Sequence, residues 1–228
     1  MIPSSISLSC DPLNSPHPVP WNWVMAALHE RTVAFRYYRS QSLISPDGRY
    51  AAYSRIQLQL SPDLPQSRIA SILFIEQLET GELQTVTPAA PFADNPFVAD
   101  ALVEQPGTIA MLIPVAWSED GERLLAREFE SKFCSSLASD FAVVWERRLN
   151  RTHTLAPTQI QYSNAVLLGW SQTCPEHVLF RAGQMGEENW PLYAVNTSGQ
   201  TLQVGSDQPL AFGEYANGSW GPQGYSCA

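Results

Sequence analysis

Three stretches of this chain repeat one pattern, in which a polar turn separates an apolar approach from a new apolar run. The clearest copy is residues 44–53, with Ser-Pro-Asp-Gly near its start, and the second is residues 117–126, with Trp-Ser-Glu-Asp-Gly. Residues 170–180 form a third copy that lacks the Asp-Gly pair. Because Asp accepts backbone N–H groups and Gly permits positive φ in tight turns, the pattern predicts β-hairpins. Such repetition constrains the architecture strongly, since one supersecondary unit recurs along the chain.

Each turn opens a longer unit of strand-like runs. The first repeat spans about residues 45–88 and contains the apolar run Ile69–Ile75 and a second turn at Glu79–Glu82. The other two repeats span about residues 118–157 and 171–207. Apolar runs without polar alternation indicate strands that are buried on both faces, so we expect the repeats to pack against one another.

The order and pattern of these residues resemble the TolB-type β-propeller repeat, a WD-like blade. The resemblance is carried by Ser45–Tyr53 with Glu79–Glu82 downstream, and by Trp117–Gly121. At ~40 residues a blade, it covers about 120 residues of the chain. It implies an all-β fold, namely a small or incomplete β-propeller built from TolB-like four-stranded blades, with a short N-terminal helix and an extended arm.

Three blades fall short of a closed ring, which typically has ~4–8. One alternative is a fourth blade assembled from Leu210–Tyr215 and Thr32–Tyr38, which hides both sheet edges. The others are an open arc, whose exposed edges pair with a partner or a second copy, and an unrelated β fold.

The segments outside the repeats differ from them in composition. Residues 1–31 hold a proline-rich extended arm and a short helix, for which Pro20–Glu30 has suitable spacing. The propeller-like domain is assigned to residues 32–216 and includes an insertion at residues 89–107. Residues 217–228 form a tail that is rich in glycine and aromatic residues.

The formal net charge is −9, with 13 Lys and Arg against 22 Asp and Glu, and the sequence has no basic run. Binding to nucleic acid or to anionic membranes requires clustered positive charge, so neither is an expected partner. No apolar stretch approaches the ~20 residues of a membrane span, and the N-terminus lacks the pattern of a secretory signal. We therefore expect a cytoplasmic protein without direct membrane insertion.

Motifs that carry chemistry are missing from the sequence. It has no Gly-x-Ser-x-Gly nucleophile elbow, no phosphate-binding glycine loop and no Cys-x-x-Cys pair. The four histidines do not have the spacing of metal ligands. We expect no catalytic residues, no cofactor and no metal site.

The favoured hypothesis is a non-catalytic protein-binding or assembly scaffold that holds a partner protein through its loops and terminal extensions. Aromatic and arginine side chains are enriched at interface hot spots. They predict partner contacts at Trp21, Trp23, Arg36, Tyr38 and Arg39, and in the tail at Trp220 and Tyr225. For the two N-terminal indoles, the alternative is a structural plug in the core.

Two other classes of function stay open. One is an enzyme, a hydrolase or lyase with its active site in the propeller funnel, and the other is a propeller that binds a sugar or another small molecule. A funnel lined with converging ionisable groups of shifted pKa favours the enzyme, whereas aromatic filling argues against it. A homo-oligomer formed through blade edges is also open.

Overall fold

The computed structural model describes residues 11–29, 34–96, 105–216 and 221–222. The protein is mostly β, with 48% strand, one short α-helix and two sheets, so the predicted all-β class is confirmed. Within the described residues, no helix has the length and apolar character needed to cross a membrane.

The helix, α1 (Trp21–His29), follows the proline-rich arm as predicted, and its buried Val24 and Ala27 lie on one face. A short 3-10 turn spans Leu64–Gln66. The strands in chain order are β1 (Ala34–Arg39), β2 (Leu43–Ile44), β3 (Tyr50–Leu60), β4 (Arg68–Gln77), β5 (Leu83–Val86), β6 (Thr108–Trp117), β7 (Arg123–Lys132), β8 (Ala138–Glu146), β9 (Arg151–Leu155), β10 (Asn164–Ser171), β11 (Val178–Gly183), β12 (Leu192–Val195), β13 (Thr201–Val204), β14 (Pro209–Leu210), β15 (Glu214–Tyr215) and β16 (Gly221–Pro222).

Twelve of these strands form three successive antiparallel meanders. The first meander is β2 to β5, the second is β6 to β9, and the third is β10 to β13. A parallel pair between Ile69 and Ile109 joins the first two meanders in one sheet, while the third forms a separate sheet with β14. Short turns connect neighbouring strands, which is the connection that antiparallel pairing permits.

The meanders pack against one another through apolar faces. Leu73 of the first meander and Trp145 of the second belong to one buried cluster. Val144 of the second and Phe180 of the third belong to another. Because side chains alternate along a strand, Trp145 and Val144 serve opposite faces of the same strand. The middle meander is therefore buried on both sides, as its continuous apolar run predicts.

The first two turns have the same local geometry. Ser45 donates from Oγ to Oδ1 of Asp47 at 2.6 Å, and Ser118 donates in the same way to Asp120 at 2.6 Å. Gly48 and Gly121 follow with φ of 69° and 70°. These residues satisfy the turn locally, which explains why the pattern is visible in the sequence.

The third turn has the same serine–carboxylate hydrogen bond, but its carboxylate comes from a residue that is distant in the sequence. Ser171 donates from Oγ to Asp207 at 2.5 Å, a residue 36 positions away. The backbone amides of Gln172 and Thr173 also donate to Asp207, at 3.0 and 3.1 Å. The third copy, which lacks the Asp-Gly pair in its sequence, therefore has a carboxylate at its turn only because the fold brings Asp207 there.

The C-terminal segment 209–216 ties the three meanders together. Its strand β14 pairs with β10, its strand β15 pairs with β2, and the carbonyl of Phe212 accepts the N–H of Trp117 at 2.8 Å. Gly213 has φ of 99°, and a Cβ atom there would lie 2.7 Å from the carbonyl oxygen of Ile44. These pairings do not assemble Leu210–Tyr215 and the described part of Thr32–Tyr38 into a separate fourth blade. The described part of the latter segment, β1, pairs with β3 and β16 instead.

Candidate functional site

The predicted partner residues Trp21 and Trp23 pack inward from α1. The ring of Trp21 meets Phe129 edge-on at 6.1 Å, and the ring of Trp23 lies 5.3 Å from Tyr38. Both indoles are half-buried and pack against the cluster that contains Val24. These contacts favour the structural alternative for the two indoles.

Strand β1 divides the remaining predicted residues between two faces. Arg36 lies opposite the buried Leu58, and Tyr38, which is 6% exposed, shares that face. Burial raises the pKa of Tyr38. Arg39 points to the opposite face, where it lies directly across from Arg55. The structure therefore separates Arg39 from the other residues of the predicted patch.

Trp220 and Tyr225 lie outside the described residues. Between them in the chain, Gly221 and Pro222 form β16, which pairs with β1 at Arg39 and Tyr38. The described part of the tail therefore adjoins the same end of β1 that carries the predicted patch.

Arg39 ends a stack of three side chains on the outer face of the first meander. Its guanidinium carbon lies 3.8 Å from the ring centroid of Tyr53. The Tyr53 ring stacks on Phe74, with centroids 5.5 Å apart and planes at 18°. These three side chains are half-buried, and Phe35 of β1, on the same face, is 53% exposed. We call Phe35, Arg39, Tyr53, Arg55 and Phe74 the ladder face.

The two faces of the first meander differ in cover, although Ala70 and Ile72, which share the outer face with Phe74, are also buried. Ile56, Leu58 and Leu73 on the inner face are fully buried in hydrophobic clusters. Among the described residues, no hydrophobic cluster includes a member of the ladder face. The ladder face is thus a sheet face with aromatic and arginine side chains that the described core does not use.

The outer face of the third meander is covered instead. Leu13 of the arm and Trp190 pack on a cluster of Val166, Leu168 and Leu179, which are buried. The ring of the arm's histidine also bonds to the backbone there, since its Nε2 lies 3.0 Å from the carbonyl oxygen of Leu168. The two ends of the stack of meanders are therefore unlike, and the ladder face is the end with exposed aromatic surface.

The sequence reasoning missed Phe35, Tyr53, Arg55 and Phe74. A signal for Arg55 was present, because residues 55–60 alternate between polar and aliphatic side chains, which predicts one buried and one open face; Tyr53 lies two positions earlier and so on the same face as Arg55. Phe74 lies in an apolar run without alternation, so its face is set by the register with Tyr53.

A buried charged centre lies under the arm. Arg127 donates from Nε to Asp140 at 2.8 Å, from Nη1 to Asp11 at 2.7 Å, and from Nη1 to the carbonyl oxygen of His17 at 2.6 Å. The side chains of the arginine and both aspartates are at most 1% exposed. Asp140 also accepts the N–H of Leu167 at 2.9 Å. One arginine therefore connects the arm, the second meander and the third.

Burial raises the pKa values of these two carboxyl groups, whereas pairing with Arg127 lowers them. Burial favours the neutral form of Asp11, but hydrogen bonding and charge attraction from Arg127 outweigh it and lower the pKa of Asp11. Burial raises the pKa of Asp140 to about 6, although Arg127 opposes the rise. At neutral pH both groups are ionised and share one cation, so the centre is structural charge pairing.

Two further acids lie on β7 beside this centre. Glu128 is 1% exposed, and its Oε2 atom has no hydrogen-bond partner among the described residues. Burial, followed by the nearby charges of Glu130 and Asp140, raises the pKa of Glu128 well above its usual value. Glu130 accepts the N–H of Phe92 at 2.7 Å and so holds the described start of the insertion. Burial raises the pKa of Glu130 to about 7.

Glu130→Gln is expected to remove part of the pH dependence of stability. Since the folded-state pKa is about 7 against an ordinary 4.5, the folded chain binds this proton more tightly than the unfolded chain. The resulting stability is complete below pH 4.5 and is lost as pH rises to about 7, by at most about 3 kcal/mol. We would measure urea unfolding of both proteins across this range.

The neutral Gln variant should be the more stable protein above pH 7, and its advantage should shrink as pH falls. Glu188→Gln is the matched control, because Glu188 is exposed and should change little at any pH. A difference between Glu130→Gln and wild type that is constant across the pH range contradicts the prediction.

The acids of β7 lie apart from the cavity that the described residues define. The described cavity of about 460 Å³ lies between Ser45 and Glu214 and has neither Glu128 nor Glu130 in its lining. No group of three or more His, Cys, Asp or Glu side chains within the described residues has an arrangement that holds a metal ion.

No protein-family model matches this chain, and no curated protein matches it either. What the chain does must therefore be argued from its own contacts and charges.

Proposed function

We propose that this chain is a non-catalytic protein-binding module, and that its partner docks on the ladder face. The observation that carries the proposal is the stack of Arg39, Tyr53 and Phe74 on a sheet face outside the described hydrophobic clusters. Aromatic and arginine side chains dominate binding energy at protein interfaces. Here they are already held in place by their neighbours, so ordering them on binding costs little.

We propose further that the three meanders are TolB-like blades in an open arc. The succession of four-stranded antiparallel units supports this, as does the serine–carboxylate bond repeated at Ser45, Ser118 and Ser171. In such an arc a blade at one end presents an outer face that a neighbouring blade covers in a closed ring. The ladder face is that surface.

Phe35→Asp tests the docking site. Phe35 is 53% exposed, so a carboxylate there should leave the fold intact while removing apolar contact area and adding charge to the interface. We expect capture of the partner by the tagged full chain to fall at least ~10-fold, which corresponds to a loss of about 1.4 kcal/mol in binding free energy. Partners would be captured from lysate of the source cells and quantified by mass spectrometry, and binding would then be repeated with the purified partner.

Leu149→Asp is the matched control for this substitution. Leu149 is 63% exposed and lies in the turn between β8 and β9, away from the ladder face. Equal loss of capture in both variants, or no loss in Phe35→Asp, rejects docking at the ladder face. Thermal unfolding of each variant would show that the fold is retained.

An enzyme is the second candidate, and the raised pKa values of Glu128 and Glu130 are the observation in its favour. Against it, Glu128 is buried and Glu130 holds the backbone of Phe92. We would measure partner binding to the double variant Glu128→Gln, Glu130→Gln. Retained binding would show that the partner does not require the chemistry of these two carboxyl groups.

A further inference from the structure

Residues 11–19 of the proline-rich arm attach to two meanders through one histidine. The carbonyl oxygen of His17 accepts a hydrogen bond from Nη1 of Arg127, on the second meander, at 2.6 Å. The His17 ring reaches the third meander, where its Nε2 lies 3.0 Å from the carbonyl oxygen of Leu168. Leu13 packs on the apolar cluster beside this contact. The arm therefore covers part of the outer face of the third meander.

The contact with Leu168 determines which ring nitrogen of His17 carries a proton. A carbonyl oxygen only accepts hydrogen bonds, so Nε2 is the donor and the neutral ring has its lone pair on Nδ1. None of the hydrogen bonds between described residues involves Nδ1 of His17. A proton that the ring takes up in acid therefore goes to Nδ1, where no described residue accepts it.

The surroundings of the His17 ring disfavour a positive charge. Burial lowers the pKa of His17, and the charge of Arg127 lowers it further, although the hydrogen bond to the third meander opposes both effects. The charged residues on the elements packed against His17 are Asp11 on the arm, Arg127 on β7, Asp140 on β8, Arg181 on β11, and Glu187 and Glu188 in the loop before β12. Arg127 already binds both aspartates, so their negative charge is shared with a cation.

Acid weakens the attachment of the arm through His17. On a detached arm the ring titrates at its ordinary pKa of 6.5, whereas the attached ring takes up its proton only at lower pH. The stability that the neutral ring gives to attachment is therefore complete above pH 6.5 and is lost as pH falls below this value.

The two aspartates of the buried centre do not reproduce this effect. The pKa of Asp11 is lowered from 3.8, so Asp11 weakens attachment only in stronger acid. Burial raises the pKa of Asp140 to about 6, which has the opposite sign and favours the folded state as pH falls. Asp140 belongs to β8, however, and keeps its bond to Arg127 when the arm detaches.

We propose that residues 11–19 form an acid-released strap: protonation of His17 detaches them from the third meander and uncovers the apolar cluster of Val166, Leu168 and Leu179. These three side chains are at most 8% exposed while the arm is attached. Release gives the protein an apolar sheet face that it does not present at neutral pH. The proposal is independent of docking at the ladder face, which lies on the first meander.

Amide hydrogen exchange of the full chain at about pH 7.5 and about pH 5 tests the proposal. Protection factors, corrected for the intrinsic pH dependence of exchange, are compared between residues 11–19 and β11. We expect protection of the arm to fall at least ~3-fold in acid while that of β11 changes little. Binding of the dye ANS should rise over the same range as the apolar cluster is uncovered.

His17→Gln isolates the effect of the ring charge. Glutamine can donate from Nε2 to Leu168, but it does not become a cation. We expect this variant to keep its arm equally protected at both pH values. His29→Gln is the matched control, because His29 is exposed at the end of α1, and it should behave as the wild type does.

Proton NMR titration of the wild-type chain supplies a measurement that needs no variant, since the His17 ring should titrate below pH 6.5. Titration of His17 at or above this value overturns the proposal. Unchanged protection of the arm in acid does so too, as does an equal loss in His17→Gln and wild type. A loss in β11 as large as that in the arm also overturns it, because acid then unfolds the meander itself.

Discussion

Arg127→Met should lower the free energy of unfolding by about 3–5 kcal/mol. The substitution removes the shared cation from Asp11 and Asp140, whose side chains are at most 1% exposed. Both carboxylates then remain buried without a counter-charge, since water cannot reach them easily. The bond from Arg127 to the carbonyl oxygen of His17 is lost as well. Chemical denaturation at neutral pH measures this change.

Loosening of the arm provides a second readout for the same variant. Asp11 accepts the amides of Leu13, Ser15 and Val19, so its attachment to Arg127 fixes the whole turn. We expect amide hydrogen exchange across residues 11–19 to accelerate more than exchange in the third meander.

Arg148→Met is the control for Arg127→Met. Arg148 forms an ion pair with Glu122 at 3.0 Å, but its side chain is 83% exposed. Exposed pairs contribute about 0–1 kcal/mol, so this variant should resemble the wild type. Similar losses in the two variants, or a loss below about 1 kcal/mol in Arg127→Met, contradict a structural role for the buried centre.

Trp117→Ala should have an effect of the same size, about 3–5 kcal/mol. Trp117 is fully buried, and its ring lies 6.4 Å from that of Trp145 in the cluster between the first two meanders. Its Nε1 donates to the carbonyl oxygen of Leu43 at 3.2 Å. Truncation leaves a cavity and a buried carbonyl without this donor. Urea unfolding measures the loss.

Trp117→Phe separates these two contributions. Phenylalanine keeps most of the apolar volume but has no N–H for Leu43, so we expect a loss of about 1–2 kcal/mol. If Trp117→Ala and Trp117→Phe are equally stable, the volume of the indole ring does not account for the stability of the cluster. Amide hydrogen exchange across Phe212–Tyr215 should be faster in Trp117→Ala than in Trp117→Phe, because this segment is hydrogen-bonded to the backbone of Trp117.

The sequence predicted the strands that follow a turn far better than the strands that precede one. Strands β3 and β5 follow the turns predicted near Ser45 and at Glu79–Glu82. The first strands of the later meanders, β6 and β10, were anticipated only as apolar approaches to a turn, because the repeats were bounded at their turns. Both strands are buried along their whole length, so they lack the alternation that marks a half-exposed strand.

The candidate site was predicted in part. Arg39 was named from the sequence, but as a neighbour of Arg36 and Tyr38, which lie on the other face of β1. Strand alternation alone separates them once β1 is assigned. The contact of Arg39 with Tyr53 and Phe74 required the order of β1, β3 and β4 and their register, which local patterns do not contain.

By itself, the sequence determined the elements whose stabilising groups lie within a few residues. The turns at Ser45 and Ser118 are examples, since serine, aspartate and glycine there satisfy one another locally. Tertiary structure decided the contacts made across long separations. Asp207 completes the third turn, Arg127 joins Asp11 across 116 positions, and three strands bring the ladder face together. The physical reason is that such pairs form only when the packing of whole meanders fixes register and burial, which no local sequence pattern specifies.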